Sequence, residues 1–252
     1  MKAWAERWVG IVALSVCCTV LATASWALRP EQSETRKPLT RGFHQLEFAT
    51  DDGGTLRCSL WVPPLEDGST VPLVVALHYG GEVTRSHSMG FIRSFVVPGM
   101  KTLGAIIVAP DCPGNEWTDP ISERSVLALT QYAIRHWPVD QRRVVVTGYS
   151  LGGIGTWFLA SRHPEIFSAA VPVAGRPVGD AEIRVPVYAI NGRRDEVIDL
   201  EPTRRVIEAL RAKGARVELI VVKGPTHYQT EGFVAPLKKA VSWLRQLWEM
   251  GS

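Results

Sequence analysis

Gly148-Tyr149-Ser150-Leu151-Gly152 holds a serine among small residues, directly after the β-branched run Val144 to Thr147 and directly before a helical stretch. A strand that turns sharply into a helix strains the backbone of its turn residue, so the neighbours must be tiny to avoid clashes. The hydroxyl of Ser150 would then stand above the carboxyl edge of a sheet, placed for nucleophilic attack on an acyl carbon. The amide of Leu151, at the start of the helix, would face a developing oxyanion. A hydroxyl attacks only when a base takes its proton. Of the six histidines, His44, His78, His87, His136, His163 and His227, only His227 lies beyond both Ser150 and a further strand with a usable carboxylate. Its segment, KGPTHYQTEG, reads as a loop between the last strand and the last helix.

The acid is expected after the penultimate strand, where VPVYAINGRRDEVIDL puts Asp195 three residues past Gly192. Its role would be to accept the ring N–H of His227, fix the tautomer and stabilise the imidazolium. Glu196 and Asp199 on the same loop remain alternatives. A second oxyanion donor is expected from His78-Tyr79-Gly80-Gly81, where Tyr79 or Gly80 supplies the N–H, Gly80 being preferred. His78 is expected to brace that loop.

These groups need a scaffold of strands ending at one edge. Eight segments fit strands: HQLEFAT and TLRCSLWVP, joined through Asp51-Asp52-Gly53-Gly54 as a hairpin, then PLVVALH, GAIIVAP, RRVVVTG, FSAAVPVAG, VPVYAING and RVELIVVKG. The last six are short apolar runs suited to strands buried on both faces. Helical stretches fall near 120–137, 151–162, 201–213 and 234–249; the segment near 86–101, closed by Pro98-Gly99, is less regular. A hairpin followed by β-α alternation gives an open, mostly parallel α/β sheet with helices on its faces. The gap between strands at 167–175 and 185–192 leaves no room for a lid domain.

With 252 residues, 46% hydrophobic and 21% charged, the chain can bury one substantial core and is not disordered. A net charge of +3 with no basic block argues against a nucleic-acid partner. Residues 1–27 have a basic start, an apolar run and small residues before Ala24 and Ala27, the pattern of a secretory signal cut after one of them. An uncleaved anchor is the alternative. Residues 28–42 read as a linker and 43–252 as the catalytic domain. The mature chain would be secreted or periplasmic, monomeric and without a membrane span. No metal-ligand cluster or dinucleotide fingerprint is visible, so no cofactor is expected.

With Ser150, Asp195 and His227 in that order on this strand pattern, the chain resembles an α/β-hydrolase. GYSLGGIGTWFLASRHPEIFSAAVPVAG is similar to the exported, lidless carboxylesterases that include feruloyl-esterase-like and polyhydroxybutyrate-depolymerase-like enzymes, relatives of the prolyl oligopeptidase catalytic domain. The likeness runs from about residue 44 to 249. It implies an eight-stranded sheet with the second strand antiparallel to, and beside, the fourth. That topology brings Cys58 and Cys112 together and implies a disulfide between them. It also implies a serine carboxylic-ester hydrolase working through an acyl-enzyme on short-chain, aromatic or polymer-borne esters, with a peptidase or a non-catalytic binding module as alternatives. Many relatives have His-Gly where this chain has His78-Tyr79, and again where it has Asn191-Gly192. Tyr149 and Trp117 are assigned to the substrate side. Trp117, in DCPGNEWTDP, would either overhang the site and hold an acyl or aromatic group or serve plain packing.

Overall fold

The computed structural model describes residues 29–30, 39–50, 53–81, 87–179 and 182–250. The expected signal segment 1–27 and residues 31–38 of the expected linker lie outside the described residues. Nine strands form one sheet: β1 (Arg29–Pro30), β2 (Gly42–Ala49), β3 (Thr55–Val62), β4 (Val71–Leu77), β5 (Ile106–Pro110), β6 (Val139–Tyr149), β7 (Ala169–Val173), β8 (Val187–Gly192) and β9 (Val217–Val222). Their spatial order is β1-β2-β3-β5-β4-β6-β7-β8-β9. The eight strands expected from the sequence are β2 to β9. The addition is β1, which pairs antiparallel with Ala49 and Phe48 and draws part of the expected linker into the sheet edge.

From β4 onward the ladder is parallel, and β3 pairs antiparallel with β5, as the resemblance implied. Strands β4, β5, β7 and β8 are buried almost throughout, which explains their unbroken apolar runs. Their side chains still alternate between two cores. Leu73, Val75, Leu77, Val144 and Val146 face one layer, while Val74, Ala76 and Val145 face the other.

The first layer is built by α3 (Pro120–His136), α4 (Leu151–Arg162) and α5 (Leu200–Ala212). The second combines α1 (His87–Phe91), α2 (Val97–Met100) and the C-terminal α6 (Val234–Glu249). A single π-helical turn, Ile92–Val96, joins α1 to α2 and leads into Pro98, whose missing N–H falls in the first turn of α2. This wide turn is why no clean helical period was visible across residues 86–101. Gly99 lets α2 press onto α6: a Cβ there would lie 2.5 Å from Leu237 Cδ2. Between β7 and β8 no helix intervenes among the described residues.

The disulfide is not formed; Cys58 and Cys112 are both buried thiols. The β3–β5 register places Cys58 opposite Pro110, so Cys112 sits two residues beyond the paired position. There its sulfur turns to the Ser122 hydroxyl of α3, 3.4 Å away. Burial pushes the Cys112 thiol up, so it has little thiolate character. Alkylation of the unfolded, unreduced protein followed by peptide mapping is expected to recover both cysteines as modified thiols. Reductant is expected to leave the melting temperature unchanged.

Candidate active site

Strand β6 ends at Tyr149 and α4 begins at Leu151, leaving Ser150 alone to make the turn. It does so at φ 55°, ψ −114°, in the left-handed range that L-residues adopt only under constraint. The constraint is close packing of backbone on backbone. A Cβ on Gly152 would meet the Leu77 carbonyl oxygen at 1.9 Å, and one on Gly148 would meet the Gly152 carbonyl oxygen at 2.3 Å. On the other side Gly153 and Gly175 lie so close that either Cβ would fall within 2.5 Å of opposing backbone. The Ser150 amide donates to the Val173 carbonyl at 3.0 Å, pinning the turn to β7.

The loop after β9 brings His227 to this turn. Its Nε2 lies 2.8 Å from Ser150 Oγ, and its Nδ1 lies 2.9 and 2.8 Å from the two carboxylate oxygens of Asp195. Asp195 follows β8, and its side chain is fully buried. Burial by itself would raise that carboxyl. The His227 hydrogen bond and the amides of Ile198 and Val197, at 2.7 and 3.0 Å, outweigh it and hold the group below the usual carboxylate range. With Asp195 ionised, His227 carries its proton on Nδ1 and presents Nε2 as an acceptor to the serine hydroxyl. The alternatives for the acid go elsewhere. Asp199 caps α5 through the Glu201 amide, and Glu196 accepts the backbone amide of His227 at 3.1 Å.

Tyr149 is not on the substrate side. It is buried between Tyr79, Phe95, Phe233 and His227, and its phenol donates to the His227 carbonyl at 2.6 Å. Burial, reinforced by Asp195, Glu231 and Glu196 nearby, raises the phenol further, so it stays a donor. The backbone of His227 is thus gripped from both sides: Glu196 takes its N–H and Tyr149 holds its C=O. Nothing in the sequence distinguishes this use of Tyr149 from substrate contact, since only a partner 78 residues away reveals it.

Trp117 does not overhang the site either. It is fully buried against Gly155 of α4, and its indole N–H donates to the His78 carbonyl at 2.8 Å. The His78 ring completes the support. The Cys112 amide, a donor only, points at Nε2 from 3.0 Å, so Nδ1 bears the proton and donates to the Tyr79 carbonyl at 2.8 Å. Across a trans peptide the Gly80 N–H opposes the Tyr79 C=O, and so points away from His78. Gly80 also abuts Leu151: a Cβ on it would sit 3.6 Å from Leu151 Cδ2. Both expected oxyanion residues therefore lie side by side next to Ser150.

Burial, with a smaller push from His87, lowers His78 to about 4 against the opposing pull of the Tyr79 carbonyl and Asp111. The unfolded chain would take up this proton near the ordinary value of about 6.5. Stability from a neutral His78 is therefore complete above about pH 6.5 and is lost as pH falls towards 4. Denaturant titrations between pH 7 and 4 are expected to show a shallower loss of stability in His78→Asn than in the native chain.

Comparison with known proteins places this geometry in context. An acetylxylan esterase of Coprinopsis cinerea is 30% identical over 130 residues, covering 46% of this chain and 34% of that protein. Acetylxylan esterase A of Emericella nidulans is 26% identical over 128 residues, covering 46% of this chain and 41% of that protein. The chain thus spans less than half the length of these curated relatives. Among solved structures, a thermostable esterase superposes with a TM-score of 0.69 at 23% identity, covering 81% of this chain and 62% of its own. A ferulic acid esterase gives 0.67 at 16% identity, over 83% of this chain and 100% of its own. At such identities the two structures establish the shared fold, an α/β-hydrolase. Residues 102–241, from the lead-in to β5 through the first half of α6, match the dienelactone hydrolase family, and the chain belongs to it.

Proposed function

We propose that the protein is a serine hydrolase of carboxylic esters. The observation that carries this reading is the unbroken chain from the Asp195 carboxylate through the His227 ring to Ser150 Oγ, every link between 2.8 and 2.9 Å. Ser150 Oγ attacks the ester carbonyl carbon as its proton passes to His227 Nε2. The carbonyl oxygen, now anionic, is received by the amides of Leu151 and Gly80. The carbon–oxygen bond to the alcohol then breaks, and His227 returns the proton to the departing alcohol. Water, deprotonated by the same imidazole, attacks the acyl-enzyme and releases the acid.

Asp195 supports the cycle by remaining ionised beside an imidazole that becomes positive. Tyr149, Glu196, His78 and Trp117 act only through the backbone they hold. No metal or organic group is called for by this sequence of steps. Esters of acetylated or feruloylated carbohydrate fit the reading, because the relatives include ones named for acetylxylan, beside others named as putative carboxymethylenebutenolidases, and one structural neighbour is named for ferulic acid.

Three variants test this reading with p-nitrophenyl acetate. The native chain is expected to release a burst of p-nitrophenol, and Ser150→Ala to give none. Absence of turnover in the native chain on any ester would reject the proposal. Asp195→Asn is expected to lower kcat by about 10⁴-fold, since an amide there favours the wrong imidazole tautomer. Tyr149→Phe removes only one hydrogen bond to the histidine loop and is expected to lower kcat roughly two- to tenfold with KM little changed.

A further inference from the structure

Among the described residues four large apolar side chains are exposed: Phe43, Val197, Tyr228 and Met250. Two have a cation against them. The Arg93 guanidinium lies 4.6 Å over the Phe43 ring, and Arg216 Nη2 is 2.7 Å from the Met250 sulfur. The other two stand on the loops that deliver the acid and the base. Val197 is 49% exposed and lies two residues after Asp195, its amide bonded to that carboxylate. Tyr228 is 77% exposed and directly follows His227, its ring edge-on to the imidazole with centroids 5.5 Å apart. Scattered apolar residues need no explanation, but a pair confined to the rim of a reactive centre does.

The proton path says which half of a substrate meets this rim. In the ester reading above, on which this inference rests, the leaving oxygen must come within reach of His227 Nε2 to collect its proton. The alcohol therefore departs along the histidine side of the site, while the acyl group stays bonded to Ser150. Tyr228 is the exposed surface next to that histidine. A planar aromatic face accepts the apolar face of a ring at small entropic cost, because tyrosine has only two side-chain torsions. The chain on either side is polar: Arg193, Arg194 and Glu196 flank Asp195, Gln229 and Glu231 follow Tyr228, and all five are exposed. An aromatic ring on segments rich in hydrogen-bonding groups matches a sugar, which has a C–H face and a hydroxyl edge, better than it matches an alkyl chain.

We propose that Tyr228, with Val197 beside the acid, forms the alcohol subsite, and that it takes the sugar ring of a carbohydrate ester. Selectivity would then reside in the alcohol half and be expressed in acylation alone, since deacylation begins after the sugar has left.

Three acetate esters share one acyl-enzyme and differ only in the alcohol: ethyl acetate, p-nitrophenyl acetate and an acetylated xylo-oligosaccharide. Tyr228→Ala is expected to lower kcat/KM for the xylo-oligosaccharide about three- to tenfold more than it lowers kcat/KM for ethyl acetate. Tyr228→Trp is expected to retain the activity on the sugar ester. An equal loss on ethyl and sugar esters would overturn the subsite, and so would a loss confined to p-nitrophenyl acetate, which would assign an aryl alcohol instead. Failure of the native chain to hydrolyse all three would overturn the ester reading itself and the subsite with it. Steady turnover of ethyl acetate, unaltered in every Tyr228 variant and paired with an unaltered sugar ester, would overturn the subsite alone.

Discussion

Ser150 occupies a backbone conformation that costs on the order of 1–3 kcal/mol for a residue with a side chain, and the surrounding strands and helix hold it there. Its amide is tied to β7, the Leu77 carbonyl of β4 fills the space where Gly152 would carry a Cβ, and Gly175 closes on Gly153 from the far side. Three adjacent strands thus converge on one peptide. The strain is held in place by packing that forms only when β4, β6 and β7 are in register, so the position of the hydroxyl reports on the whole centre of the sheet.

Around that point the charges are arranged by burial rather than by number. Asp195 is held ionised because three donors converge on it and outweigh its burial, whereas burial keeps His78 neutral, with its acceptor nitrogen facing the Cys112 amide. Asp195 stands beside the His227 ring, and His78 braces the backbone at Tyr79. The carboxylate is thereby held ionised and the imidazole of His78 neutral, each by its own surroundings.

The meeting of Ser150, Asp195 and His227 was legible because each follows the carboxyl end of a strand, and strands buried on both faces announce themselves as apolar runs. The order of serine, acid and histidine did the rest. The disulfide that did not form, the choice between packing and overhang for Trp117, and the place of Tyr149 share one reason. Each depends on which way a side chain turns at the end of an element, and a linear pattern carries no record of that. Trp117 and Cys112 both lie in the β5–α3 connection, and both turn inward to support His78, one by its indole and one by its amide. Strand β1 escaped notice because two residues, one a proline, have no period to detect.

The oxyanion loop leaves β4, but it hangs from the β5–α3 connection, through the Trp117 indole and the Cys112 amide. That connection is itself anchored by Asp119, whose carboxylate gathers the amides of Asn115, Glu116 and Ser122 at the mouth of α3. In the proposed mechanism, a short turn about thirty residues before Ser150 therefore supports the backbone that would receive the anion. Loosening of this one helix cap would then weaken that support while the sheet stayed intact.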